Sequence, residues 1–128
     1  MIRNLDLVRK ILLEIESESG GFSSKSLELE GFSKDEIEYH LTIMLEAGLI
    51  QGASHNRSGH YYPLIIPSRL TWAGHDFLDA CRDEGRWKEA KEIFIKAGGV
   101  TFDVAKEVLV RLMLSGISQY LSGGVPGG

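Results

Sequence analysis

Apolar positions fall into two rhythms along this chain, one of three and four residues and one of two, and the changes between them mark its elements. Leu5, Val8, Ile11, Leu12 and Ile15 share one helical face, with Asp6 in the first turn and Gly20-Gly21 as the expected stop. From Phe22 to Phe32, FSSKSLELEGF alternates Leu27 and Leu29 with charged residues, the pattern of a short strand or an irregular turn. Ser33-Lys34-Asp35-Glu36 matches a capping box, in which a serine hydroxyl and a glutamate carboxylate satisfy each other's backbone donors. A helix is therefore expected from Asp35, ending at Ala47-Gly48 because glycine readily takes the left-handed conformation that closes helices. A strand begins at Leu49-Ile50.

The polar stretch SHNRSGHYY, Ser54 to Tyr62, separates LIQGA from YYPLII and predicts a hairpin. Pro63 and Pro67 restrict the returning strand to a short or edge position. Thr71 is placed to cap TWAGHDFLDACR, Gly85 is expected to break that helix from RWKEAKEIFIKA, and Gly98-Gly99 to end the second piece. Thr101 can cap a last helix with a wide apolar stripe: Phe102, Ala105, Val108, Leu109, Leu112, Met113, Ile117 and Tyr120. The fold class this predicts is mainly α with a small β-hairpin, α+β, and the Gly-rich tail over 122–128 is expected to be flexible.

Length and composition limit the functions to be considered. A chain of 128 residues with 43% apolar content fits one domain with a true core. The lone Cys81 rules out an internal disulfide, and no window combines a basic start with an apolar run, so a cytoplasmic protein without a membrane span is expected. A net charge of −4 and a pI near 5.5 weigh mildly against a dedicated nucleic-acid binder. His40, His55, His60 and His75 form no ligand motif, Cys81 has no assigned base, and the glycine pairs lack the context of a phosphate loop. The expectation is a protein that is not an enzyme and uses no metal or cofactor.

Helix, short segment, helix ending in AGLI, hairpin and helix is the element order of a winged helix-turn-helix core. Beyond that order, LDLVRKILLEIE, EYHLTIMLEAGLIQG and above all IPSRLTWAGHDFLDACRDEGRWKEAK resemble a family of bacterial and phage proteins catalogued as domain of unknown function 2513, and the resemblance extends to Leu121. It implies a single winged-helix domain over 1–121 with added C-terminal helices, and frequent residence in prophages. It implies no reaction. LTWAGHDFL is also similar to an LTxxGxxxL phrase that leads from the wing to the next helix in many winged-helix regulators, with Thr71, Gly74 and Leu78 at the matching places. There it is a packing signature.

At about 100° per residue, Ile37, Leu41, Met44, Leu45 and Gly48 form the core side of the expected second helix. Asp35, Glu36, Tyr39, Thr42, Ile43 and Glu46 lie opposite, with Lys34 and His40 nearer the flanks. Three carboxylates and no arginine suit a DNA groove poorly, whereas Tyr39 and Ile43, one turn apart, suit an apolar anchor in a charged rim. The hairpin tip is more favourable to phosphate, offering His55, Asn56, Arg57, Ser58 and His60, with Arg69 nearby. A solvated turn has the same composition.

Two functions are therefore expected. The leading one is a transcription-regulator-like module binding double-stranded DNA through Lys34, Tyr39, Thr42, Arg57, His60 and Arg69. The alternative is a protein-interaction module, for example a phage factor that binds a host protein, using Tyr39 and Ile43. The excess apolar surface of the last helix predicts a homodimer through Phe102 to Leu121, with Leu114 and Ile117 near the interface. Its competitor is intramolecular cover by the helix from Trp87 to Ala97.

Overall fold

Asn4 opens the first helix. Its Oδ1 accepts the N–H groups of Asp6 and Leu7 at 2.9 and 3.3 Å, satisfying donors that have no partner within the helix. A computed structural model describes residues 1–17, 22–23 and 26–122 and contains α1 (Leu5–Ser17), α2 (Lys34–Glu46), β1 (Ile50–His55), β2 (Leu64–Leu70), α3 (Trp72–Cys81), α4 (Glu84–Lys96) and α5 (Phe102–Ser122). The protein is thus mainly α with one antiparallel hairpin, as the pattern predicts. The expected stop at Gly20-Gly21 and all of the tail after Ser122 lie outside the described residues.

The chain forms two compact units, Met1–Leu78 and Asp79–Gly128, divided within α3. In the first, α1 packs against α2 and β2, and α2 also meets both strands. Leu7, Ile11, Leu12, Ile37, Leu41 and Ile65 are all but completely buried there, each contributing roughly 1.5–3 kcal/mol of transfer free energy.

Between α1 and α2 the alternation of Leu27 and Leu29 predicts burial correctly, since Leu27 is buried, Leu29 half-buried, and Glu28 and Glu30 exposed. It produces a turn and no strand: Ser26 and Leu27 both donate to the Ser23 carbonyl, and Gly31 takes a positive φ of 87°. A period of two sets which side chains face inward, but a strand also needs a ladder partner.

The capping box is present in full, with Glu36 N–H donating to Ser33 Oγ at 3.1 Å and Ser33 N–H donating to Glu36 Oε1 at 3.0 Å. It places the first helical residue at Lys34, one earlier than expected. Gly48, at φ 75°, turns the chain out of α2. In the hairpin, Gln51 pairs with Arg69 and Gly52 with Pro67, leaving Ser68 as a bulge whose hydroxyl donates to the Gln51 carbonyl at 3.1 Å. The bulge accommodates a proline inside a strand.

The junctions at the two ends of the hairpin are fastened to each other. Thr71 N–H donates to the Leu49 carbonyl at 3.0 Å, its hydroxyl donates to the Gly48 carbonyl, and Thr71 Oγ1 accepts the Gly74 N–H at 3.0 Å as the cap of α3. Gly74 lies so close that a Cβ there would collide with the Leu49 carbonyl oxygen. This is the physical content of the threonine and glycine in the LTxxGxxxL phrase.

In the second unit the break between α3 and α4 is made by Asp83, not by Gly85. The Asp83 carboxylate accepts the Arg86 N–H at 2.7 Å, Arg86 Nε donates to the Ala80 carbonyl at 2.9 Å, and Gly85 sits inside the first turn of α4. A side-chain cap satisfies the free donors of a helix start, which an isolated glycine cannot do. Gly98 and Gly99, both at positive φ, end α4, and Thr101 caps α5 by accepting the Val104 N–H at 3.2 Å. Trp87 and Phe94 meet edge to face at 6.1 Å, while α4 packs along α5, where Ala105 and Leu109 are buried.

Gly74→Ala should therefore lower stability by about 2 kcal/mol or more, because backbone cannot rotate aside as a side chain can. Gly116→Ala, where an added Cβ meets nothing within 4 Å, should be neutral or stabilising. Urea midpoints of the two variants compared with the parent provide the measurement.

Candidate interaction face of the second helix and hairpin

The outer side of α2 and the tip of the hairpin meet through an ion pair. Arg57 Nη2 lies 3.1 Å from Glu38 Oε1, and the two side chains are only 16% and 10% exposed. The same nitrogen donates to the Tyr62 carbonyl at 3.0 Å, while Arg57 Nε is buried and finds no hydrogen-bond partner among the described residues. Within the tip, His60 N–H donates to the Arg57 carbonyl at 3.3 Å and Gly59 adopts φ 78°. The guanidinium expected to reach phosphate thus points back onto α2. Glu38, which the helical periodicity assigns to neither face, is its counter-ion.

Three tyrosines continue this contact outward. Tyr62 lies 5.7 Å from Tyr39 and 5.0 Å from Tyr61 between ring centroids, within the range of favourable aromatic pairs. Tyr39 and Tyr62 are half-buried and Tyr61 is 92% exposed. Desolvation, with neighbouring Tyr61 and Asp35 next, raises the Tyr62 phenol above its ordinary pKa and keeps it neutral.

Directly beneath Tyr39, whose ring meets it edge to face at 5.5 Å, His40 is fully buried. This corrects its placement on the helix flank. Its Nε2 accepts the Asn4 N–H at 2.8 Å, which assigns the ring proton to Nδ1, 2.7 Å from the Glu36 carbonyl. Burial lowers its pKa and outweighs the opposing pull of the Glu36 carbonyl and carboxylate.

The remaining candidates are dispersed in role. Lys34 Nζ donates to the Leu27 carbonyl at 3.3 Å, and the Thr42 hydroxyl donates to the Glu38 carbonyl at 2.9 Å within its own helix. Ile43 is half-buried, His60 is exposed, and Arg69 is exposed with Nη1 donating to the Leu70 carbonyl at 3.3 Å. Leu114 and Ile117 are exposed on α5, in the second unit. The structure therefore gathers Tyr39 and Arg57 with Glu38, Tyr61 and Tyr62, which the sequence reading did not single out. The adjacent tyrosines before Pro63 are the available signal, because paired aromatics at a hairpin tip exceed what a solvated turn requires.

The carboxylates of α2 also have structural tasks. Asp35 and Glu36 occupy the first turn, where the helix dipole favours negative charge, and the capping hydrogen bonds from Ser33 hold the Glu36 carboxyl below its ordinary pKa. With Glu38 paired, Asp35 and Glu46 are left as exposed charges.

A family described as Hypothetical protein (DUF2513) matches residues 2–101. The match ends just before α5, short of the Leu121 to which the sequence resemblance extends. An uncharacterised protein of Haemophilus influenzae is 34% identical over 110 residues, covering 84% of this chain and 92% of the relative. No solved structure matches.

Two outcomes test this geometry. Arg57→Ala should cost about 3 kcal/mol, because it strands a nearly buried carboxylate, while replacing both partners by Glu38→Leu with Arg57→Met should restore most of the loss; urea unfolding of the three variants measures both. For His40, the unfolded chain takes up a proton near the ordinary value of 6.5 that the folded chain resists. Stability should therefore fall as pH drops below 6.5, before Glu36 begins to contribute near its ordinary 4.5. His40→Gln should flatten that part of the stability profile.

Proposed function

The chain belongs to the DUF2513 family, and from that premise we propose that it is a non-enzymatic protein built on a winged-helix core, whose α2 and hairpin face binds a protein partner presenting basic side chains. The order α1, turn, α2, hairpin, α3 supports the winged-helix assignment. The observation that carries the choice of partner is the engagement of Arg57 by Glu38. With Arg57 so engaged, the outer side of α2 and the hairpin tip offer a row of tyrosines, with Asp35 and Glu46 exposed on the same helix. Such a face repels phosphate and suits arginine or lysine, which pair with carboxylates and pack over aromatic rings.

DNA binding is the competing function, and it would depend on Lys34, His60 and Arg69. Fluorescence anisotropy separates the two. A labelled arginine-rich peptide should bind, and Tyr61→Ala should weaken it about tenfold, roughly 1.4 kcal/mol. A labelled random duplex at low salt should not bind. Duplex binding that weakens steeply with salt and is lost in a Lys34→Ala, Arg69→Ala variant would replace this proposal with the DNA-binding one.

A further inference from the structure

The apolar surface of α5 is wider than its contact with α4. Taking about 100° per residue, Ala105, Leu109, Leu112 and Gly116 centre on one side, and Leu112, Met113, Gly116 and, at its edge, Ile117 line an open groove with Arg86 and Glu89 of α4. Val110, Leu114, Ile117 and Leu121 centre roughly 150° away and are 37%, 57%, 48% and 72% exposed. These four are spaced four, three and four residues apart, the repeat that keeps one seam facing a partner helix. Ile117 borders the α4 groove, whereas Val110, Leu114 and Leu121 stand apart from it, so α4 leaves most of the seam uncovered.

The geometry points to a second copy of this chain as the occupant, with the two α5 helices paired along Val110, Leu114, Ile117 and Leu121. Charge distinguishes this partner from others. Between Arg111 and Ser122 the helix carries no ionisable group other than the Tyr120 phenol, so the seam has nothing to select a charged partner and nothing to repel its own copy. Arg111, the one charge flanking the seam, is paired with Glu107 at 2.9 Å on the same helix. Glu107 also falls where the repeat would continue toward the N-terminus, and a carboxylate there ends the seam. A two-fold pairing buries the same patch twice and needs no second surface. A seam this short gives a reversible dimer, because stable interfaces bury about 800 Å² per partner.

This inference is independent of the α2 face, and its test leaves that face intact. Sedimentation velocity of the full chain over a concentration series should show a monomer passing into a dimer. Leu114→Glu should shift the midpoint at least tenfold to higher concentration, with the helical circular dichroism unchanged because residue 114 is exposed; Leu114→Met should dimerise as the parent does. Cysteine pairs define the direction: Leu114→Cys alone cross-links in a parallel pair, whereas Leu114→Cys mixed with Ile117→Cys cross-links preferentially in an antiparallel one. A monomer at every concentration overturns the proposal, as does a dimer that Leu114→Glu leaves unchanged.

Discussion

The close approach of Gly74 to the Leu49 carbonyl sets the frame on which the N-terminal unit is built. Through it and the hydrogen bonds of Thr71, the end of α2, the start of β1, the end of β2 and the start of α3 meet within a few residues. Were this contact looser, the hairpin would be held to α2 by strand packing and the Arg57–Glu38 pair alone. A second fastening, from Arg57 to Glu38, lies near the hairpin tip. Fixed at base and tip, the hairpin has little freedom to change its angle to α2, so the tyrosine row is held in one arrangement before any partner arrives. Such preorganisation reduces the ordering cost of binding.

Much of this frame was legible in the sequence because its signals are local. Ser33 and Glu36 satisfy each other three residues apart, Gly48 turns the chain immediately after α2, and Thr71 and Thr101 cap the helices that follow them. What escaped was decided between distant segments. From the hairpin alone, the Arg57 guanidinium among histidines and asparagine suggests phosphate, yet its partner lies nineteen residues earlier on α2. His40 was placed on a flank by angle alone, and the backbone N–H of Asn4 that makes its burial tolerable is thirty-six residues away. Gly85 permits a break between α3 and α4, but Asp83 makes it.

Net charge proved a coarse guide to surface chemistry for a related reason. The formal balance of −4 counts every carboxylate alike, but Glu36 serves a helix cap, Glu38 serves an ion pair, and Asp35 lies at the positive end of a helix dipole. The acidic character of α2 is therefore partly a requirement of building the helix. The remaining exposed charges, with the tyrosines beside them, are what a partner would meet. The family model ends at residue 101, before α5 and its exposed aliphatic seam.

Cys81, near the end of α3, is completely buried, and no other cysteine occurs in the chain. Its thiolate, the species that alkylating reagents attack, cannot form at the surface while α3 is closed. A membrane-permeable alkylating reagent would therefore report a rate of opening, not a rate of surface chemistry. The protein thus carries its own timer for local opening of α3, the helix within which the boundary of the two units falls.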